Sequence, residues 1–318
     1  MAALEHRGRE LAELHKKARE FIAAAKAPAT RSAYRGDWEH FAAWCREREL
    51  SFLPATPETV ALYLTALAAT HKPATLSRRL TSINKAHQAA GLEAPGRMEK
   101  AAVGETLKGI RRTVGVAQAG KKPLLTADMR KLIAGLPGGL LGSRDRALLL
   151  MGFAGGFRRA ELAALAVADI AETDDGLMVN LRFSKTDQEG QGRKVALPYG
   201  SSEETCPVRA YRSWIERAGI TAGPVFRGVD RHGNLGGEGL HKDSVGMIVK
   251  RAAKAAGLDP KPYAGHSLRA GLATQAYLNG ANELAIMRQT GHRSLEMVRR
   301  YIRDIELFKD NPASKLGL

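Results

Sequence analysis

Cysteine is almost absent from this 318-residue chain: only Cys45 and Cys206 occur, far apart and outside any CxxC pattern. That speaks against a disulfide framework and a thiolate metal site, and suits a reducing cytosol. Aromatic residues are scarce at 6%, so the cores are expected to be helical and rich in Ala and Leu. No uninterrupted apolar run approaches the roughly 20 residues a membrane span needs. The opening residues Glu5, His6, Arg7, Arg9 and Glu10 are too polar for a signal peptide. A cytoplasmic protein with no membrane partner is expected. The nine histidines lack HxxxH and HExxH spacing, so no hydrolytic zinc site is expected, and no metal or cofactor. Acidic charge is short too, with 33 Asp and Glu against 49 Lys and Arg and a formal charge of +16. The excess runs through both halves of the chain, as in a protein that lays two surfaces along a polyanion.

The length favours two domains. Residues 1–114 read as a string of helices. From Thr30, a cap by residue type, Tyr34, Trp38, Phe41 and Trp44 recur on one face, with Arg31 and Arg35 off it. A helix after Pro73 has the stripe Leu76, Leu80, Ile83, with Arg78, Arg79 and Lys85 elsewhere. A further one carries Val103, Leu107 and Ile110 beside Lys108, Arg111 and Arg112. Any one basic face is ordinarily just a solvated surface; three in one domain point to a DNA-gripping module. Residues 115–124, with few large apolar side chains and the cations Lys121 and Lys122, read as a linker. Residues 125–318 form the second domain. Thr126 is expected to cap its first helix, and residues 142–166 are helical apart from a break at Gly155–Gly156. Leu177 to Phe183 alternates as a strand and Arg193 to Leu197 is its partner, which puts Lys185 near a hairpin tip. Helices return from Lys242, one of them basic with Lys250, Arg251 and Lys254.

The chemistry lies in an ordered series: Arg158 in GGFRRAEL, Lys185 in FSKTD, His266 and Arg269 in HSLR, His292 in TGHRS, and Tyr301 in RRYIRD. His266 and Arg269 are three apart and share a helix face, as do Arg158 and Glu161, whose carboxylate is placed to orient the guanidinium. A guanidinium fork reaches both non-bridging oxygens of a phosphate and stays charged. A tyrosine hydroxyl titrates near pH 10 in water, so an attacking phenol needs help with its proton. His266 is the expected acceptor and Lys185 the acid for the departing 5′ oxygen. His292 is expected to donate to a phosphate oxygen. Singly each residue has a bland explanation, such as packing, a cap or a solvated turn. The complete series in one order does not.

That series resembles the tyrosine site-specific recombinases, the phage-integrase family, with a Cre-like layout. The family pattern is Arg with an accompanying acid, a hairpin Lys, His-x-x-Arg, a His or Trp, and the nucleophilic Tyr. It maps onto Arg158 and Glu161, Lys185, His266 and Arg269, His292 and Tyr301. The resemblance covers most of the chain. It implies a mainly α, two-domain C-shaped DNA clamp, with a helical core-binding domain and an α+β catalytic domain carrying a small hairpin. It also implies a helix around His241, Lys242 and Ser244 inserted into DNA. The implied reaction is cleavage and religation through a 3′-phosphotyrosyl link with no metal or ATP. The implied partners are a double-stranded recognition site and a homotetramer on DNA, monomeric or weakly associated without it, with room for accessory DNA-bending proteins. The implied location is cytoplasmic and nucleoid-associated. The apolar tail (Ile302, Ile305, Leu307, Phe308, Leu316) either docks on a neighbouring protomer or packs on its own domain. Two other readings stay open: a type IB-like topoisomerase, and a DNA-binding regulator on an inactive scaffold.

Overall fold

The computed structural model describes residues 11, 13–21, 27–98, 102–116, 120–182, 192–306 and 311–316. The chain divides into two units, Met1–Ala119 and Gly120–Leu318.

The first unit is built from α1 (Pro28–Arg46), α2 (Pro57–Leu67), α3 (Pro73–Ala89) and α4 (Ala102–Val114). The first three open with proline in the first turn, where its missing N–H costs no hydrogen bond. Thr56 caps α2 by accepting the Thr59 N–H at 3.2 Å. Thr30 is no cap: it lies inside α1, which begins at Pro28 after Ala27. Phe41, Val60, Tyr63, Leu64, Leu76, Ile83, Val103 and Leu107 close a single core. Arg31, Arg35, Arg78, Lys85, Lys108, Arg111 and Arg112 are exposed.

Arg79 departs from the sequence reading. It is 9% exposed, donates through Nη1 to the Tyr63 hydroxyl, and its Nε lies 3.8 Å from the buried Asp37 carboxylate. Tyr63 takes a further contact from His40 Nδ1 at 2.9 Å. Helical spacing put Arg79 off the apolar stripe, but the Tyr63 phenol holds it inward, while the Asp37 carboxylate also pairs with the exposed Arg78 at 3.0 Å. In this structure Arg79 is a buried member of the ion-pair cluster around Asp37.

The second unit comprises α5 (Thr126–Ala134), α6 (Gly139–Gly155), α7 (Arg159–Ala163), β1 (Ile170–Thr173), β2 (Gly176–Leu181), β3 (Arg193–Pro198), α8 (Pro207–Ala218), β4 (Arg227–Val229), β5 (Leu235–Gly239), α9 (Lys242–Ala255), α10 (His266–Leu278), α11 (Glu283–Thr290) and α12 (Leu295–Glu306). α6 is apolar nearly all round and buried along Ala147–Met151, as a central helix must be. It packs on α8 and α10. β1, β2 and β3 form an antiparallel sheet in that order, with Val179 opposite Val195 and Leu177, Val179 and Leu181 buried. β1 and the β4–β5 ribbon were not expected. Phe183, Lys185 and the turn at 187–191 lie outside the described residues.

Thr126 is the first helical residue of α5, not its cap, and its N–H donates to Gln275 Oε1 at 3.0 Å. The end of the expected linker is likewise fixed. Leu124 is fully buried, its N–H donates to the Ser267 carbonyl, and the Lys122 N–H donates to the Pro262 carbonyl.

Candidate active site

Arg158 is the N-cap of α7, and Glu161 at its third helical position reaches back to accept the Arg158 N–H at 2.9 Å. The same carboxylate accepts from Arg158 Nη1 at 2.5 Å. Local helix capping therefore aims this guanidinium. The preceding Gly156 terminates α6 in the left-handed region at φ +57°, a conformation that suits glycine, and turns the chain so that Arg158 enters the site.

His266 and Arg269 come from the first turn of α10. Arg269 is 1% exposed. Its Nη1 donates to the Gly156 carbonyl at 2.8 Å and to the Thr290 carbonyl. Its buried Nη2 has no hydrogen-bond partner among the described residues. Burial, then Arg158, pulls its pKa down to about 10, so it remains a cation at neutral pH.

Tyr301 sits on α12, whose Val298 packs with Ala273 of α10 and Ile286 of α11. The Thr274 hydroxyl donates to the Tyr301 carbonyl at 3.1 Å. The Tyr301 hydroxyl lies 2.8 Å from His266 Nε2, close enough for the phenol to donate and the imidazole to accept. Burial of the ring, then Arg269 and Arg158, hold the His266 pKa below the usual imidazole value, although the residue keeps an exposed edge. His266 is therefore available as a proton acceptor near neutrality.

His292 follows α11 and is 8% exposed. Burial, then Arg269, Arg158, His266 and Arg193, push its pKa down to about 3. Its ring centroid is 5.5 Å from that of Tyr301. Five of the expected residues, Arg158, His266, Arg269, His292 and Tyr301, thus converge with Glu161. Lys185 lies outside the described residues.

Sequence reasoning missed Arg193 and Gln289. Arg193 at the start of β3 donates to the Gln289 carbonyl at 2.8 Å and to the Glu161 carboxylate at 3.4 Å. Gln289 Nε2 in turn donates to the Ala154 and Ala196 carbonyls at 3.1 and 3.0 Å. Together they tie the sheet to α6 and α11. Gly291 leaves room for this: a Cβ there would lie 2.8 Å from Arg193 Nε. No local motif marks either residue, since their partners come from elements distant in sequence.

A model of the phage integrase family matches residues 123–306, and one of the phage integrase N-terminal SAM-like domain matches residues 19–93. The chain belongs to the phage integrase family. It is 41% identical over 305 residues to the integrase/recombinase XerD homolog of Selenomonas ruminantium, covering 94% of this chain and 89% of that one. It is 26% identical over 292 residues to the recombinase Cre of Escherichia phage P1, covering 84% and 81%. Its fold is similar to that of the Tn1549 transposon integrase solved in complex with transposon right end DNA. That match has a TM-score of 0.63 at 14% identity and covers 89% of this chain and 92% of that one. As a family member the protein is a tyrosine recombinase, mostly helical with small sheets and two domains.

The residues expected at DNA are spread over this recombinase. His241 caps α9, accepting the Asp243 N–H at 3.4 Å, with Lys242 and Ser244 half-buried in its first turn. Asp243 also pairs with Arg159 at 2.8 Å. Lys121 donates to the Lys261 carbonyl at 3.0 Å, and Lys122 Nζ stands 5.7 Å from the centroid of the Tyr263 ring. No helix among the described residues is long and apolar enough to cross a membrane, and none of their His, Cys, Asp and Glu side chains group to hold a metal.

Proposed function

We propose that this recombinase cleaves DNA at specific sites through a 3′-phosphotyrosyl intermediate and exchanges strands between two recognition sites via a Holliday junction. The observation that carries the reading is the Tyr301 hydroxyl 2.8 Å from His266 Nε2, together with a buried arginine nitrogen, Arg269 Nη2, without a partner among the described residues. An unpartnered buried donor is costly, and a phosphodiester oxygen would satisfy it.

In the proposed reaction Arg158 and Arg269 bind the non-bridging oxygens of the scissile phosphate. Glu161 holds Arg158 in place. The Tyr301 oxygen attacks phosphorus as its proton passes to His266, and the P–O5′ bond breaks. Lys185 gives a proton to the departing 5′ oxygen, and His292 donates to the charge that builds on phosphate. The ester keeps the bond energy, so a 5′-hydroxyl from a partner strand can reverse the step. Residues 1–114 serve as the core-binding domain, 115–124 as the linker and 125–318 as the catalytic domain. Arg31, Arg35, Arg78, Lys85, Lys108, Arg111, Arg112, Lys121, Lys122, His241, Lys242 and Ser244 are the proposed DNA contacts. The active assembly is a homotetramer on two sites, open to accessory DNA-bending proteins, in the cytoplasm at the nucleoid. The test supplies two differently labelled duplexes bearing a DNA site that has been recovered covalently linked to the protein. Joining of one label to the other is expected; relaxation of supercoils without intermolecular joining would favour a topoisomerase.

A further inference from the structure

Thr290, the last residue of α11, is fully buried and serves two site residues at once. Its carbonyl accepts from Arg269 Nη1. Its hydroxyl oxygen lies 2.6 Å from the Ile286 carbonyl oxygen and 2.6 Å from His292 Nδ1. A threonine hydroxyl has one hydrogen to donate and lone pairs to accept with. The Ile286 oxygen has no hydrogen, so that contact is attractive only when Thr290 supplies the proton. The imidazole must then supply the hydrogen of the other contact. The reverse assignment leaves two oxygens 2.6 Å apart with nothing between them. We propose that Thr290 is a positioning residue that fixes neutral His292 as its Nδ1–H tautomer, leaving a bare lone pair on Nε2.

This changes what His292 can do, a consequence that rests on the recombinase chemistry proposed above. A neutral ring held this way accepts at Nε2 and cannot donate to a phosphate oxygen. It becomes a donor there only after taking up a proton. The groups facing it are Arg269 and His266 on α10, Arg158 ahead of α7, Arg193 on β3 and Tyr301 on α12. The arginines oppose that proton in the free protein. A phosphodiester docked among them brings the negative charge that favours it. His292 therefore enters the reaction by proton uptake when DNA binds.

The test is a long-range proton–nitrogen spectrum of the full chain with labelled histidine, His292 being assigned by its loss in His292→Gln. The Nδ1–H pattern is expected near neutral pH, retained in Thr290→Ser and lost or mixed in Thr290→Val, with the other histidine signals unmoved. DNA cleavage by Thr290→Val should fall at least roughly tenfold, as when an orienting partner of an imidazole is removed, and Thr290→Ser should restore it. An Nε2–H pattern in the unmodified protein overturns the proposal, and so does a Thr290→Val spectrum like the parent's. Should Thr290→Val fail to fold, the parent spectrum and Thr290→Ser decide alone. The spectrum reads the hydrogen bond without DNA, whereas Tyr301 adduct formation reads the chemistry, so the two readings fail separately.

Discussion

Replacing Glu161 with glutamine tests whether one carboxylate organises the cationic cluster. Its side chain is 3% exposed and faces Arg158 at 2.5 Å and Arg193 at 3.4 Å, while it also accepts the Arg158 N–H. Glutamine keeps the shape and one acceptor oxygen, but its NH2 confronts guanidinium donors and the compensating charge is gone. Removing one partner of a buried pair costs about 3–5 kcal/mol. The retained acceptor places Glu161→Gln at the low end, about 3 kcal/mol. For a unit of this size that lowers Tm by about 6–12 °C. Calorimetry with and without duplex DNA measures it, beside Glu283→Gln as a control. The Glu283 pair with Arg299 has an arginine side chain that is 59% exposed, and such surface pairs contribute about 0–1 kcal/mol. Cleavage by Glu161→Gln should fall on the order of 10²-fold, because Arg158 is no longer held on the phosphate. Binding to DNA should be no weaker, since a negative charge has been removed. A melting point within about 2 °C of the parent, with cleavage intact, would refute the organising role.

Arg158→Ala should lose cleavage by on the order of 10²–10³-fold yet keep most salt-dependent DNA binding, read by titration at several salt concentrations. Arg79→Ala should lower stability by about 3 kcal/mol in denaturant melts without changing the slope of DNA affinity against salt. Arg111→Ala should reduce that slope by about one unit. Acid should destabilise the free protein through His292. Its folded pKa of about 3 lies below the ordinary value of about 6.5, so the unfolded chain binds the proton first. The stabilisation is complete above about pH 6.5 and is lost progressively as pH falls towards the folded value. His292→Gln should flatten that slope in melts between pH 7 and 4.5, where a parent-like slope would contradict the buried neutral ring.

What could be read in the sequence was chemistry carried by short motifs. His266 and Arg269 are three apart on a helix, and Arg158 stands three before Glu161 as the cap of its helix, so spacing alone suggested that each pair would share a side. Long-range partners were not legible. Arg79 looks like Arg78 in a helical projection, and both pair with Asp37, Arg78 at 3.0 Å and Arg79 at 3.8 Å; what sets the buried one apart is its bond to the Tyr63 hydroxyl from another helix. Arg193 lies in a strand read simply as the hairpin's second arm, and its role depends on Glu161 and the Gln289 carbonyl. Thr290 lay inside the quoted motif TGHRS, but its value comes from the direction of one hydroxyl proton. β1 is short with three exposed residues, and the β4–β5 ribbon is glycine-rich, so neither shows the alternation that identified β2.

The central claim is that Tyr301 becomes covalently joined to DNA. The direct measurement incubates the protein with fragmented DNA, denatures the mixture, recovers protein-linked DNA, and maps both the modified peptide and the DNA ends, with Tyr301→Phe in parallel. The account predicts a DNA 3′-phosphate esterified to Tyr301, a free 5′-hydroxyl on the other strand end, and no adduct with Tyr301→Phe. An adduct that survives Tyr301→Phe, or a linkage to the 5′ end, would contradict it.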